Sequence, residues 1–496
     1  MRAMGGGIPE THTAQRFLHG NGGLRQAVGS ENKYKGKKAL IVGMGKSGVA
    51  ALELMSSFGA DMAVYDAGDP GRDPRTRDLI RASRARGFFG RTPPAERWDY
   101  IVMSPGVPSD LPFVTAAVAA GATLTGDLEL AYELDRGIFI AITGTNGKTT
   151  TTALVGEMFR NAGIDSAVTG NIGEPAIRSA LQAKRDRVLV TEVSSFQLET
   201  TSRFRPKIAA ILNITPDHLD RHGTMECYGA AKAKVFANQR AEDFLIYNRD
   251  DEAVCRLVAS GEAAKIPFSR TRRLDCGAFA EGGRIFLASG CGVPVDLAAV
   301  SDLRIPGVHN LENALAAAAI AHRGGVDPSV IAATLAEFRG VAHRMEPVDV
   351  IDGIRFVNDS KGTNPDASVR AIAAAQPQIV LIAGGYDKQA DFRPFIRAFG
   401  GKVSHLLLIG QTADALRRTA EAEGFRGALI CADMEECVER GFALAEPGDT
   451  VLLSPACASW DMYGGFEERG DHFKRLVGAL RARKEEWREK QRDGRP

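Results

Sequence analysis

The stretch best equipped for chemistry runs from Ile138 to Phe159. An apolar run, Ile138 to Ile142, ends in Thr143-Gly144-Thr145-Asn146-Gly147-Lys148-Thr149-Thr150, and an Ala/Leu/Val-containing segment follows at helical spacing. Strand, glycine turn and helix is the arrangement in which backbone N–H groups and a helix N-terminus converge on a phosphate. Gly144 and Gly147 let the chain turn without a Cβ clash. Lys148 can reach outer phosphates, and Thr149 can put a hydroxyl on Mg²⁺, so ATP is the first expectation. The general phosphate-loop pattern has glycine where this chain has Ile142, so the loop is shorter than the common form.

Other polar clusters follow buried strands. The strand Arg187 to Val193 ends in Thr191-Glu192-Val193-Ser194-Ser195-Phe196-Gln197-Leu198-Glu199. In a phosphate-loop fold, Glu192 stands where an acid holds Mg²⁺; the alternative is a capping carboxylate for the next helix. After Ile208 to Leu212 comes Asn213-Ile214-Thr215-Pro216-Asp217-His218, where His218 is either a metal ligand or a satisfied loop histidine. Lys232 and Lys234 lie on an expected helix, Tyr228 to Phe236, where lysines are ordinarily a solvated face. His309, Asn310 and Asn313 open a long alanine-rich helix ending at Ala321.

Upstream, a short strand, Lys38 to Val42, runs into Gly43-Met44-Gly45-Lys46-Ser47-Gly48 and a helix, Val49 to Phe58. A second strand ends at Asp66. This is a βαβ unit with GxGxxG, which alone leaves a dinucleotide site and another phosphate-binding turn both open. The strand Tyr100 to Met103 leads to Ser104-Pro105-Gly106-Val107, and Gly126-Asp127-Leu128-Glu129 follows. Downstream, the hairpin-like pair Val348 to Ile351 and Ile354 to Asn358 ends in Asp359-Ser360-Lys361-Gly362-Thr363. Three more strands, beginning at Ile379, Leu406 and Thr450, each carry glycine or polar residues at the carboxyl end, which predicts an open α/β sheet with its site on that edge.

The elements that must position these residues fit an ordinary globular composition. The 496 residues suggest about three domains. A net charge of +1 argues against nucleic acid as the main partner. Seven cysteines without close paired metal spacing suit a reducing cytoplasm. No unbroken apolar stretch of about 20 residues predicts a membrane span. The first residues have no apolar core of a signal peptide and are read as a flexible extension over 1–34. The expected domains are 35–137, 138–339 and 340–496, and the last segment, Phe473 to Glu489, is expected to be an amphipathic helix.

Taken together, the strings TGTNGKTT, GNIG, EVSSFQLE, NITPDHLDRH, YGAAKAKVF, HNLENALAA, NDSKGTN, AGGYDK and LSPACASWD resemble those of the Mur ligases, from roughly Lys35 to the C-terminus. The shorter loop with Ile142 is a property of that family. The resemblance implies an α/β protein of three domains: an N-terminal Rossmann-like UDP-binding domain, a central phosphate-loop ATPase domain and a C-terminal Rossmann-like domain. It implies ATP-driven phosphorylation of a carboxylate to an acyl phosphate, attack by an amine, and loss of phosphate. NDSKGTN and AGGYDK favour the member that adds D-glutamate to UDP-MurNAc-L-Ala, a cytoplasmic step of peptidoglycan precursor synthesis, and a monomer is expected.

The resemblance also assigns residues. Gly144, Thr145, Asn146, Gly147, Lys148, Thr149 and Thr150 would cradle ATP, with Asn310 and Asn313 on the adenine side. Thr149 and Glu192 would hold a first Mg²⁺ and His218 a second. Lys232 matches the lysine carbamylated by CO₂, a change that needs a neutral amine and so a lowered pKa; Lys234 is its solvated neighbour. Arg344 and Lys361 would approach the phosphates as the C-terminal domain closes, and Asp359 would contact the nucleotide. Lys148, Glu192, His218, Lys232 and Lys361 form the expected catalytic set. Asn171 is a substrate- and metal-side contact. Lys388, Thr363, Ser459 and the backbone near Phe466 would hold D-glutamate. Gly45, Lys46, Ser47, Asp66, Ser104 and Gly106 would meet UDP, although Asp66 lacks the Thr-Arg pair that follows it in some relatives.

Overall fold

The computed structural model describes residues 33–68, 73–134, 136–290, 292–305, 307–386 and 390–492. The chain forms two compact units, Met1–Phe338 and Arg339–Pro496. Within the described residues the first unit holds two sheets and the second holds one.

The first sheet is built from β1 (Lys38–Val42), β2 (Asp61–Asp66), β3 (Arg86–Phe89), β4 (Tyr100–Met103) and β5 (Thr123–Gly126). All pairs are parallel, in the order β3-β2-β1-β4-β5. Leu40, Ile41 and Val42 are wholly buried because a parallel sheet is covered on both faces. The order reverses between β1 and β4, so the crevice for a ligand opens where the Gly43 and Ser104 turns leave their strands.

The second sheet contains β6 (Ile138–Thr143), β7 (Ser166–Gly170), β8 (Val188–Glu192), β9 (Ile208–Ile211), β10 (Phe244–Asn248), β11 (Ala264–Ser269), β12 (Cys276–Glu281), β13 (Arg284–Ser289) and β14 (Val295–Ala299). The order is β14-β13-β12-β11-β10-β9-β6-β8-β7. The last two pairings, β12 with β13 and β13 with β14, are antiparallel; this extension is a meander the sequence reading does not anticipate. β6 lies between β8 and β9, so the phosphate loop, Glu192 and Asn213 leave the sheet on one edge. The helix Val308–Arg323 packs against the helix Lys148–Asn161. Ala314, Ala316, Ala317 and Ala318 are wholly buried, the helix being packed against the sheet as well as against Lys148–Asn161. The expected helix near Lys232 spans Met225–Ala233 rather than starting at Tyr228, because Thr224 caps it by accepting from the Cys227 N–H.

The third sheet is formed by β15 (Glu346–Ile351), β16 (Ile354–Asn358), β17 (Ile379–Gly384), β18 (Val403–Ile409), β19 (Ala428–Ile430) and β20 (Thr450–Leu453). Its order is β15-β16-β20-β17-β18-β19, with only the β15–β16 hairpin antiparallel. The final helix, Phe466–Arg492, begins earlier than expected, with Glu467 and Glu468 in its first turn, where the helix dipole favours acids. Among the described residues no helix is long and apolar enough to cross a membrane.

Candidate active site

The phosphate loop is shaped by two glycines in conformations that L side chains rarely adopt, Gly144 at φ +154° and Gly147 at φ +81°. A Cβ on Gly147 would lie 2.1 Å from Asn313 Oδ1. Asn313 therefore stands directly on the loop. Its Oδ1 accepts from Thr151 Oγ1 at 3.3 Å, and its amide donates to Asn310 Oδ1 at 3.2 Å. Asn213, which the sequence reading did not single out, braces the other side. It accepts the Thr145 N–H on its carbonyl at 3.0 Å and the Asn146 N–H on its side chain at 2.8 Å. Its own amide donates to the Asn146 carbonyl at 3.2 Å. The helix Lys148–Asn161 opens with no side chain capping its first N–H groups. Thr149 is buried at this end, with Thr150 beside it.

Lys148 folds back along the loop, its Nζ donating to the carbonyls of Gly144 and Thr145, both at 2.8 Å. Lys232 reaches the same Gly144 carbonyl at 2.9 Å from the helix Met225–Ala233. It is 1% exposed and lies 4.5 Å from the centroid of the Tyr228 ring. Burial, and then the charge of Lys148, push its pKa well below the usual lysine value, while Asp217 opposes the shift. Lys234, by contrast, donates to the Glu199 carbonyl at 2.7 Å.

Glu192 ends β8, 2% exposed. Its Oε1 accepts from Asn171 Nδ2 at 2.8 Å, and its Oε2 is buried without a hydrogen-bond partner. A buried carboxylate oxygen left open in this way is costly unless something cationic sits on it. His218 adopts φ +53° and starts the helix Leu219–His222, with its Nε2 3.6 Å from Asp217 Oδ2 and its ring 4.8 Å from that of Phe196. Left-handed backbone at a non-glycine residue marks a strained position. His222 hydrogen-bonds Ser195 Oγ at 3.0 Å. Among the described residues no group of three His, Cys, Asp or Glu side chains could hold a metal. The open oxygen of Glu192 and the buried Thr149 hydroxyl are hard oxygen donors, the ligand type that Mg²⁺ takes.

On the edge of the first sheet, several of the expected UDP contacts also have partners inside the protein. Asp66 accepts the Met44 N–H at 2.8 Å and the Gly68 N–H at 2.9 Å, so its carboxylate braces the glycine turn. Ser104 Oγ donates to the Gly43 carbonyl at 2.6 Å, and Ser47 Oγ donates to Asp127 at 2.8 Å. Gly45 and Gly106 face open space, and Lys46 is exposed.

In the second unit, Asp359 is buried beyond the end of β16. It accepts from Ser454 Oγ at 2.7 Å and from the Met345 N–H at 3.2 Å. Burial raises its pKa to about 6 against those hydrogen bonds and the charge of Arg344, whose own side chain is exposed. Lys361 Nζ lies 5.8 Å from the Phe466 ring centroid. The Thr363 N–H donates to the Lys361 carbonyl at 2.9 Å, and Ser459 is 2% exposed, its carbonyl accepting from Met462 and Tyr463. Arg469, also missed in sequence, joins these turns. It is 1% exposed and donates to Ser360 Oγ, Ser360 O, Cys457 O and Ala458 O at 3.0, 2.9, 3.1 and 3.3 Å. Burial draws its pKa down to about 10. Lys388 lies outside the described residues.

Along the chain, the sheet with the phosphate loop is preceded by one α/β sheet and followed by another, and three family models of a ligase class match the chain in the same order. They are "Mur ligase MurD-like, N-terminal domain" over residues 37–126, "Mur ligase middle domain" over 142–321 and "Mur ligase, glutamate ligase domain" over 343–457. The chain belongs to the Mur ligase family. A UDP-N-acetylmuramoylalanine--D-glutamate ligase of Alkaliphilus oremlandii is 47% identical over 451 residues, covering 90% of this chain and 99% of that protein. The enzymes of the same name from Pelotomaculum thermopropionicum and Clostridioides difficile are 47% and 44% identical, each over 90% of this chain and 98% and 99% of theirs. Among solved structures, the UDP-N-acetylmuramate-alanine ligase of Thermotoga maritima shares the fold with a TM-score of 0.53 at 20% identity, covering 90% of this chain and all of that one. A pseudomurein peptide ligase type C from Methanothermus fervidus does so with a TM-score of 0.51 at 18% identity, over 90% of this chain.

Proposed function

We propose that this chain joins D-glutamate to the alanyl carboxylate of UDP-MurNAc-L-Ala, with ATP converted to ADP and phosphate, in the cytoplasmic assembly of peptidoglycan precursors. The observation that carries the reading is the pairing of a phosphate loop bearing Lys148 with a buried Glu192 oxygen that has no protein partner. The near full-length likeness to D-glutamate ligases supplies the substrates.

A carboxylate is a poor electrophile. Transfer of the γ-phosphoryl to one of its oxygens gives a mixed anhydride with a good leaving group. The D-glutamate amine, once it has lost its ammonium proton, attacks the carbonyl carbon; the tetrahedral adduct expels phosphate and an amide remains. Nucleotide, carboxylate and dianionic amino acid are all negative, so cations must be placed before they can meet. Lys148 leaves the Gly144 and Thr145 carbonyls to take the phosphates. Thr149 and Glu192 would hold Mg²⁺, which would supply charge neutralisation when bound, and His218 is the candidate for a second ion. Lys232 is held as the carbamate. The roles of Asn171, Asn310, Asn313, Arg344, Asp359 and Lys361, and of Thr363, Ser459 and Lys388 toward D-glutamate, follow the same reading. So does a division into UDP-binding, ATP-binding and amino-acid-binding domains, and a monomeric state.

The test is an acceptor panel. Phosphate release from Mg-ATP and UDP-MurNAc-L-Ala is expected with D-glutamate; release instead with L-alanine, L-lysine or diaminopimelate would move the chain to another ligase specificity.

A further inference from the structure

Two motifs of the first unit carry charge that phosphoryl transfer leaves unused: Gly126-Asp127-Leu128-Glu129, where both acids are buried, and the turn holding the part-buried Arg221. Both lead to the short helix Ser195–Glu199, which follows Glu192 almost directly. Asp127 is 2% exposed, and its Oδ2 takes the Ser47 hydroxyl at 2.8 Å and the Gln197 amide at 3.3 Å. Gln197 in turn accepts the Ser194 N–H at 3.1 Å. One carboxylate thus ties the glycine turn of the first sheet to the helix beside Glu192.

Arg221 makes the second tie. Its Nε and Nη2 grip Glu199 Oε1 and Oε2 at 3.2 and 2.7 Å. Its Nη1 and Nη2 also donate to the carbonyls of Pro105 and Val107 at 3.1 and 3.3 Å, in the turn that follows β4. The guanidinium carbon lies 4.2 Å from the Phe196 ring centroid, and the Arg221 N–H donates to the His218 carbonyl at 3.1 Å. One planar fork therefore spans a carboxylate on the helix and two carbonyls on the first sheet's edge, from the turn that carries His218. An ammonium is a point charge and cannot hold those directions together.

We propose that Arg221 is a positioning residue. With Glu199 it locks the Ser104–Val107 turn to the His218 turn, so that the nucleotide-sugar side and the phosphoryl side of the first unit are set by one contact. The identity of the ligand at the Ser104 turn rests on the ligase reading; the clamp itself rests on these contacts.

The experiment compares the full-length wild type with Arg221→Met, Arg221→Lys, Glu199→Gln and Arg221→Met/Glu199→Gln. It reads KM for each substrate, kcat, melting temperature and calorimetric binding of UDP. Arg221→Met is expected to raise KM for UDP-MurNAc-L-Ala about tenfold, the loss of one or two charged hydrogen bonds, while KM for ATP stays within about twofold. Arg221→Lys should recover part of that loss, and the double variant should be no worse than Arg221→Met alone. A residue that merely held the fold would lower the melting temperature and move both KM values together, which would overturn the clamp. So would unchanged KM values in both arginine variants; if Arg221→Met does not fold, Arg221→Lys decides. A wild type without D-glutamate-dependent phosphate release sinks the ligase reading instead. UDP binding then decides the clamp: about tenfold weaker in the variants supports it, unchanged overturns it.

Discussion

Lys148 and Lys232 share one acceptor: their Nζ atoms stand 2.8 and 2.9 Å from the carbonyl oxygen of Gly144. Lys232 is the one shut away from water, and burial together with the neighbouring charge favours its neutral amine. A neutral amine can add to CO₂, losing a proton to become a carbamate. Lys232→Ala should therefore lose on the order of 10²–10³-fold in kcat, the scale of a lost electrostatic contact in a closed site. A short carboxylic acid in the assay should restore part of it. Wild-type rates in the variant would remove the carbamate from the mechanism.

The same lysine predicts a pH dependence of stability in CO₂-free buffer. Below its depressed folded pKa it is protonated folded and unfolded, and the burial cost is fully present. Above the ordinary value of 10.5 it is neutral in both states. Between the two the unfolded chain binds more protons, so stability climbs with pH. Thermal melts of the wild type should show that climb in the alkaline range, and Lys232→Met should lack it; parallel curves would contradict the assignment.

Asp359 gives the opposite slope. Its carboxyl is raised from 3.8 to about 6, so across that window the folded protein binds the extra proton and stability falls as pH rises. The full loss is about 3 kcal/mol at most. Scanning calorimetry of the whole chain should show it between those pH values, and Asp359→Asn should flatten it. An unaltered pH profile in that variant would assign the loss to other carboxyls.

Glu192 has one oxygen on Asn171 and one buried without a partner. If that oxygen receives Mg²⁺, adding Mg-ATP should raise the wild-type melting temperature, and Glu192→Gln should abolish most of the rise. An equal shift in both proteins would place the ion elsewhere.

Gly147 sits at φ +81° with Asn313 Oδ1 where a Cβ would go. Gly147→Ala should cost about 1–3 kcal/mol from backbone strain alone, and more from the clash. It should also raise KM for ATP, since the loop must shift to relieve the contact. A variant with wild-type stability and KM would mean that the loop tolerates another path.

The local strings were legible in sequence because their chemistry is local. A glycine turn after an apolar strand announces a phosphate cradle, and Glu192 and Asp359 stand at strand ends that alternation reveals; His218 and Lys232 were singled out only by the family resemblance, since by themselves they read as a loop histidine and a solvated helix lysine. Most strands carrying the site were visible for the same reason. The antiparallel meander Cys276–Ala299 was not, since its half-exposed strands carry a weaker apolar signal than the buried parallel ones. Nothing along the chain could reveal that the Ser47 and Ser104 hydroxyls donate to Asp127 and Gly43, or that the Asp66 carboxylate holds the glycine turn. Those partners come from other turns of the chain. The positions of these polar residues at turns and strand ends thus follow from the sequence itself. Which of them are shared, buried or held by Arg221, Asn213 and Arg469 was decided by tertiary packing, because a desolvated charge takes its properties from neighbours that only folding brings within reach.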